Sequence, residues 1–369
     1  MLPTPRSFNL EHILRKAINR RYLSTAEIIF LLSLSDQLDC NRLFETARFL
    51  RNRYFGDNIF LYGFIYFSTW CRNDCNFCYY RKSNQLSNRY RKTEQEIVDA
   101  AHGLAETGVH LIDLTMGEDP FYFENQQGFK SLLDLVGQIK KITGLPVMVS
   151  PGVASRQTLA EFAGAGVDWY ACYQETHNTE LFKGLRHGQN YTQRLMSKMW
   201  ATQSGLLVEE GILTGVGESL EDIAISLNMM RSLGAHQVRV MTFVPQEGIP
   251  LAAELFPSRS SELLIIAVLR LLFPDRLIPA SLDIDGIDGL QARMNAGANV
   301  VTSLIPPQSG LAGVAQSTKD INEGYRTVQG VLPVLERMGL KVATREYYLD
   351  WVDREQHKLQ VPVKTQRGG

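Results

Sequence analysis

Three of the five cysteines, Cys71, Cys75 and Cys78, fall within eight residues of one another in the stretch TWCRNDCNFCYYR. Thiolates are soft ligands, and a C-x3-C-x2-C spacing places three of them on one short loop. That suits metal ligation better than a disulfide framework. Three thiolates can hold three irons of a 4Fe–4S cubane and leave the fourth iron open to another ligand. A structural zinc ion is the alternative, but zinc needs a fourth nitrogen or sulfur ligand. No histidine lies within twenty residues of the loop, and the other cysteines, Cys40 and Cys172, form no second pair. Both of these read as small buried hydrophobes.

A second group of residues stands out because it breaks an apolar pattern. Asp113 lies in HLIDLTM, Arg239 in QVRVMTF, and Asp283 just after IPASL, with Ser281 two residues before it. The two-residue period of a strand puts Ser281 and Asp283 on the same face. A buried charge is costly unless paired, so these groups either satisfy one another or wait for a ligand. Two aspartates and one arginine leave one net negative charge. A diamino acid such as lysine, with two ammoniums and one carboxylate, would balance it. Arg239 with Ser281 would take the carboxylate, and Asp113 and Asp283 the ammoniums, in either order. Other cations satisfy the same sum.

The elements that must position these residues follow from periodicity. Residues 1–56 read as a helical lead-in. Leu10, Ile13, Leu14, Ala17 and Ile18 follow the helical period, Ser24 and Glu27 form a capping box, and a third helix spans roughly 40–53 before Gly56. Beyond it, short β-branched and aromatic runs alternate with helical segments. Strands are expected at 59–68, 109–115, 146–150, 168–173, 208–214, 237–243, 277–282 and 299–303. Thr93 with Glu96 and Ser219 with Asp222 cap helices, and Gly108 and Gly234 end them. Eight such units predict an α/β fold of the (β/α)8 TIM type over 57–353, with its site at the carboxyl ends of the strands. Residues 354–369 read as a polar, frayed tail.

The chain has 369 residues, 44% of them hydrophobic, and a formal net charge of −1. Neither nucleic acid nor an anionic membrane is expected as a partner. The amino terminus lacks an apolar signal core and no stretch is long enough to span a bilayer, so a cytoplasmic protein is expected.

The cysteine spacing, with Phe77 before the last cysteine, resembles the radical S-adenosylmethionine (SAM) superfamily. That resemblance implies that the open iron chelates SAM. One electron from the cluster then cleaves the sulfonium and releases a 5′-deoxyadenosyl radical, so no protein side chain is the catalytic radical. Met116-Gly117-Glu118, after the second strand, resembles the element that binds the SAM amino group. Ser150 ends the third strand. The stretch from Tyr173 through Glu175 to Arg194 resembles the biotin synthase and hydrogenase-maturase branch, which implies SAM contacts from Glu175 and Arg194, with Ser150, Tyr173 and Arg186 close by. Gly215-Val216-Gly217-Glu218 reads equally as an adenine-side contact or as a turn into the next helix.

Longer segments are more specific. YFGDNIFLYGFIYFSTWC, LIDLTMGEDP, YQETHNTEL, EEGILTGVG, VRVMTFVPQEG, LIPASLDIDGIDG and NAGANVVTSLIPP resemble the 3-methylornithine synthase family, which begins pyrrolysine biosynthesis. The resemblance runs from about residue 40 to 308. It implies a mutase converting L-lysine to (3R)-3-methyl-D-ornithine, with Asp113, Arg239, Ser281 and Asp283 as the amino-acid ligands. It also implies a flavodoxin- or ferredoxin-type electron donor. The implied course is hydrogen abstraction from a side-chain carbon, Cα–Cβ cleavage into a glycyl radical and an aminobutene, and recombination. Sulfur insertion of the biotin-synthase type would need a second cluster with its own cysteines. Another branch member acting on a different amino acid remains the alternative.

Overall fold

The computed structural model describes residues 8–251, 259–306 and 326–360. Its centre is a ring of eight parallel strands: β1 (Asn58–Ser68), β2 (Leu111–Met116), β3 (Val147–Ser150), β4 (Trp169–Ala171), β5 (Leu207–Thr214), β6 (Gln237–Thr242), β7 (Pro279–Ser281) and β8 (Val300–Leu304). The hydrogen-bonded order is β6-β5-β4-β3-β2-β1-β8-β7. Between β6 and β7 the ring closes through the single bridge Gln237–Leu277. This is the expected (β/α)8 architecture, nearly closed. A parallel barrel buries both faces of each strand, and β5 is buried at all eight positions.

The local signals behave as their chemistry dictates. The boxes Ser24–Glu27, Thr93–Glu96 and Ser219–Asp222 each satisfy otherwise orphaned amides at a helix start. The third lead-in helix begins earlier than its apolar pattern suggests, at Gln37, because the Asp36 carboxylate accepts from the amides of Leu38 and Asp39. Strand β4 is shorter than expected. The chain leaves it after Ala171 and reaches Glu175 in the left-handed region, with φ of 68°.

Three helices, α1 (Leu10–Ile18), α2 (Thr25–Leu32) and α3 (Gln37–Phe55), precede the barrel. Ile13, Leu31, Leu43 and Leu50 belong to the same hydrophobic cluster as Leu61, Ile112 and Leu269. The lead-in thus shares its core with the barrel.

The polar tail requires correction. A helix spans Arg345–Gln360 and crosses the boundary expected at 354; residues 361–369 lie outside the described residues. Tyr348, Trp351, Val352 and Glu355 are buried on one of its faces, at spacings of three and four residues. Charged residues on the other faces mask that stripe in the sequence. Trp351 stacks on Trp169 with centroids 5.8 Å apart, and the Tyr348 and Tyr62 hydroxyls share a 2.7 Å hydrogen bond. These contacts, with Phe60, Leu111, Leu207 and Val300 from the strand starts, plug the amino-terminal end of the barrel. A pair of stacked indoles adds about 0.5–1.5 kcal/mol to what their burial contributes. Among the described residues no helix is long and apolar enough to cross a membrane.

Candidate active site

With its lower end plugged, the barrel holds a cavity of about 230 Å3 toward the carboxyl ends of the strands. Cys71, Cys75 and Cys78 line one part of it, on the loop directly after β1, and Asp113, Arg239, Ser281 and Asp283 line another. Met116, Gly117, Glu118, Ser150, Tyr173, Glu175, Arg186 and Arg194 also line it. Tertiary structure therefore brings all of these residues to one cavity.

The cysteine loop is tightly seated. A Cβ on Gly117 would lie 2.2 Å from the Trp70 carbonyl, so only glycine lets the end of β2 approach the loop this closely. Asn76 hydrogen-bonds back to the carbonyls of Gly184 and Leu185. The Cys75 sulfur accepts from Gln189 Nε2 at 2.9 Å and from Arg186 at 3.6 Å. Burial raises the Cys71 and Cys78 thiol pKa values. Such thiols become thiolates when a cationic metal centre supplies the missing charge. Among the described residues no three His, Cys, Asp or Glu side chains converge on one metal-ion position. Ligands that each take a different corner of a cubane need not converge.

Beside the loop lies a chain of paired charges. Arg186 donates to Glu175 Oε1 at 2.5 Å and to the Tyr173 carbonyl at 3.0 Å, and its guanidinium sits over the Phe77 ring. That gives the aromatic before the last cysteine a physical role. Arg194 donates to Cys172 Sγ at 2.9 Å, to Gln189 at 3.1 Å and to Glu118 at 3.4 Å. Cys172 is thus a polar partner in the cavity wall as well as a small buried group. Glu118 also accepts from the Val153 amide and from Arg72. Burial opposes its charge, but Arg194 and the Val153 amide outweigh burial and lower its pKa.

Three atoms in this wall, Glu175 Oε2, Arg186 Nε and Arg194 Nε, are buried without hydrogen-bond partners. Unsatisfied buried polar atoms of both signs beside three cysteines fit a bound cluster carrying a zwitterionic ligand such as the methionyl part of SAM. Behind them, Glu210 accepts from the amides of Gln174 and Gly211 and pairs with Lys198, holding the exit of β4. Burial would raise the Glu210 carboxyl, yet Lys198 and His177 hold it at about 2. The Gly215–Glu218 segment closes on itself: Glu218 accepts from Thr214 and from the amides of Gly215 and Val216, the turn reading of that segment.

The charged residues of the strands are not left waiting for a ligand to the extent the sequence suggests. Arg239 Nε donates to Glu209 Oε1 at 2.7 Å. Asp283 is held by Arg326 at 2.6 Å, Ser303 at 2.7 Å and Ser281 at 2.9 Å. Burial opposes its charge, but Arg326 and the two hydroxyls lower its pKa overall. Ser303 has φ of 67°, so it and Glu175 are two of only three non-glycine residues with positive φ among those described. Backbone strain of this kind collects at ligand sites. Glu209 and Arg326 went unselected in the sequence. Glu209 carried the same signal as Asp113, a charge inside an apolar strand, whereas Arg326 sits outside any strand. Adding one charge of each sign leaves the pocket with one net negative charge, so the balance with a diamino acid survives.

Asp113 is the least satisfied of the group, with one hydrogen bond from Thr115 at 2.9 Å. Burial first, then the charge of Glu209, push its carboxyl from 3.8 to about 7, against the pull of Arg239. Because the folded value lies above the unfolded one, this group favours the folded state at low pH, and that contribution fades as pH rises through about 7. Ligand binding runs the opposite way, since an ammonium pairs with the ionised form. The KM for a cationic substrate should fall as pH rises from about 6 to about 8, and Asp113→Asn should flatten that profile. An unchanged profile in the variant would remove Asp113 from the ligand.

A parallel β/α barrel with three cysteines of this spacing at its carboxyl mouth defines the radical SAM class, and residues 65–230 match the Radical SAM superfamily. The chain is 48% identical to the 3-methylornithine synthase of Methanosarcina barkeri, over 89% of this chain and 93% of that protein. It is 31% identical to the [FeFe] hydrogenase maturase subunit HydE of Thermotoga maritima, over 79% and 82%. The crystal structure of methylornithine synthase (PylB) superposes with a TM-score of 0.87 at 46% identity, covering 92% of this chain and 99% of that one. The chain belongs to the 3-methylornithine synthase family.

Proposed function

We infer that this chain is a radical SAM mutase that converts L-lysine to (3R)-3-methyl-D-ornithine, the first step of pyrrolysine biosynthesis. One arrangement carries the reading. Asp113, Arg239 and Asp283, charges suited to a diamino acid, line the same cavity as the three cysteines. Cys71, Cys75 and Cys78 would hold a 4Fe–4S cluster. Glu175, Arg186 and Arg194, with Glu118, Met116 and Gly117 at the end of β2 and Ser150 and Tyr173 nearby, would seat SAM. When bound and reduced by an external one-electron donor, of flavodoxin or ferredoxin type, the cluster and SAM would supply the hydrogen-abstracting radical chemistry.

The protein's own groups bind and confine. Arg239 and Ser281 take the substrate carboxylate, and Asp113 and Asp283 take its ammoniums. Asp283 is already held by Arg326 and two hydroxyls, so it offers a fixed acceptor. Asp113, with one hydrogen bond, is the acceptor that ionises fully on binding a cation. Rearranging a carbon skeleton requires that both parts of the substrate stay aligned and out of water, which a barrel plugged at its base favours.

The test is anaerobic. Reconstituted protein, SAM, a reductant and L-lysine should yield a compound of lysine mass that separates from lysine and co-elutes with 3-methylornithine. Deoxyadenosine release without any lysine isomer would reject lysine as substrate while leaving the radical SAM assignment in place.

A further inference from the structure

We propose that Glu209 is a positioning residue that keeps the terminal nitrogens of Arg239 turned toward the substrate carboxylate and away from Asp113. The inference deepens the lysine reading and rests on it. Glu209 and Glu210 are consecutive on β5, so their side chains leave opposite faces of the strand. Glu210 meets Lys198 on the helix side. Glu209 points into the barrel and is fully buried. It does not line the cavity, whereas Arg239 and Tyr173, the two residues it holds, both do.

Both oxygens of Glu209 are engaged. Oε1 accepts from Arg239 Nε at 2.7 Å, and Oε2 accepts from the Tyr173 hydroxyl at 2.8 Å. The Arg239 guanidinium carbon lies 5.5 Å from the centroid of the Tyr173 ring. That ring occupies the space above Gly211, the next inward position on β5. A Cβ there would come within 2.9 Å of it. One carboxylate therefore grips the guanidinium by its Nε edge, while an aromatic face held by the same carboxylate supports its plane. The Nη groups are left for a bidentate carboxylate.

Asp113 is the competing acceptor. Its charge acts on Arg239 more weakly than that of Glu209. Without the negative charge on the Nε side, the guanidinium would be drawn to Asp113, and the pocket's acid and base would neutralise each other instead of the two ends of lysine. Glu209 prevents that collapse without touching the substrate.

The test compares Glu209→Gln and Glu209→Asp with the wild-type holoenzyme. The glutamine keeps shape and hydrogen-bonding capacity but loses the charge. It should raise the KM for lysine about tenfold or more, with kcat within about threefold. Iron content and SAM cleavage in the absence of lysine should match wild type. The aspartate, which keeps the charge on a shorter stem, should show a smaller rise in KM. An unchanged KM in the glutamine variant overturns the proposal. So does a rise in KM accompanied by a parallel loss of iron and of substrate-free SAM cleavage, which marks a merely structural ion pair. If the glutamine variant does not fold, the aspartate variant is judged by the same two criteria. Wild-type turnover measured alongside reports separately on the lysine reading.

Discussion

Cys75→Ala protein is expected to emerge from anaerobic reconstitution without an intact cluster and to release no 5′-deoxyadenosine above background. Cys75 is the most enclosed of the three loop cysteines, and the other two are partly exposed. Its sulfur accepts from Gln189 and lies near the Arg186 guanidinium. Removing it would leave two thiolates for a centre that requires three, and would leave Gln189 and Arg186 facing an empty position. The loss should be total because no other cysteine can substitute. Cys172 is held against Arg194, and Cys40 lies on α3 outside the cavity. The measurements are iron per chain, visible absorption and deoxyadenosine yield, with Cys40→Ala as the control that should retain all three. Wild-type iron content in the Cys75 variant would show that the loop does not hold the cluster.

The second large effect separates substrate from cofactor. Arg239→Ala should keep iron and substrate-free SAM cleavage yet turn over lysine about a hundred- to a thousandfold more slowly in kcat/KM. That corresponds to the loss of roughly 3–4 kcal/mol when one partner of a buried charged hydrogen bond is truncated. Two contributions add here. The substrate carboxylate would lose its cationic partner, and Glu209 would be left buried with only the Tyr173 hydroxyl. The second cost also falls on stability, so a lower thermal midpoint is expected alongside the kinetic loss. Turnover equal to wild type would take Arg239 out of the pocket.

These two variants test features that differ in how far the sequence reveals them. The cysteine loop is legible because its ligands are local. Three sulfurs within a span of eight residues are confined by chain geometry, whatever the rest of the fold does. The barrel is legible for a similar reason. Strand and helix periods are short-range properties, and capping boxes such as Thr93–Glu96 satisfy amides within a single turn. Charges inside or just past apolar strands announce Asp113, Arg239 and Asp283, because burial without pairing is too costly to be accidental.

What the spacing of residues left open was who pairs with whom. The sequence shows consecutive glutamates at 209 and 210 in one strand, and the strand period requires that they face opposite ways without saying which faces inward. Closing the barrel decides it, by setting Arg239 and Tyr173 beside Glu209 and Lys198 behind Glu210. Arg326 reaches Asp283 from 43 residues away, and Arg194 meets Cys172 across the β4 exit. The Arg345–Gln360 helix, polar on most of its surface, becomes a plug only because the strand starts present Phe60, Leu111 and Trp169 to one narrow apolar stripe. Local chemistry named the residues that bear charge and sulfur. The long-range packing of the barrel chose their partners, since an ion pair or a stacked ring depends on distance in space, and no period along the chain encodes that distance.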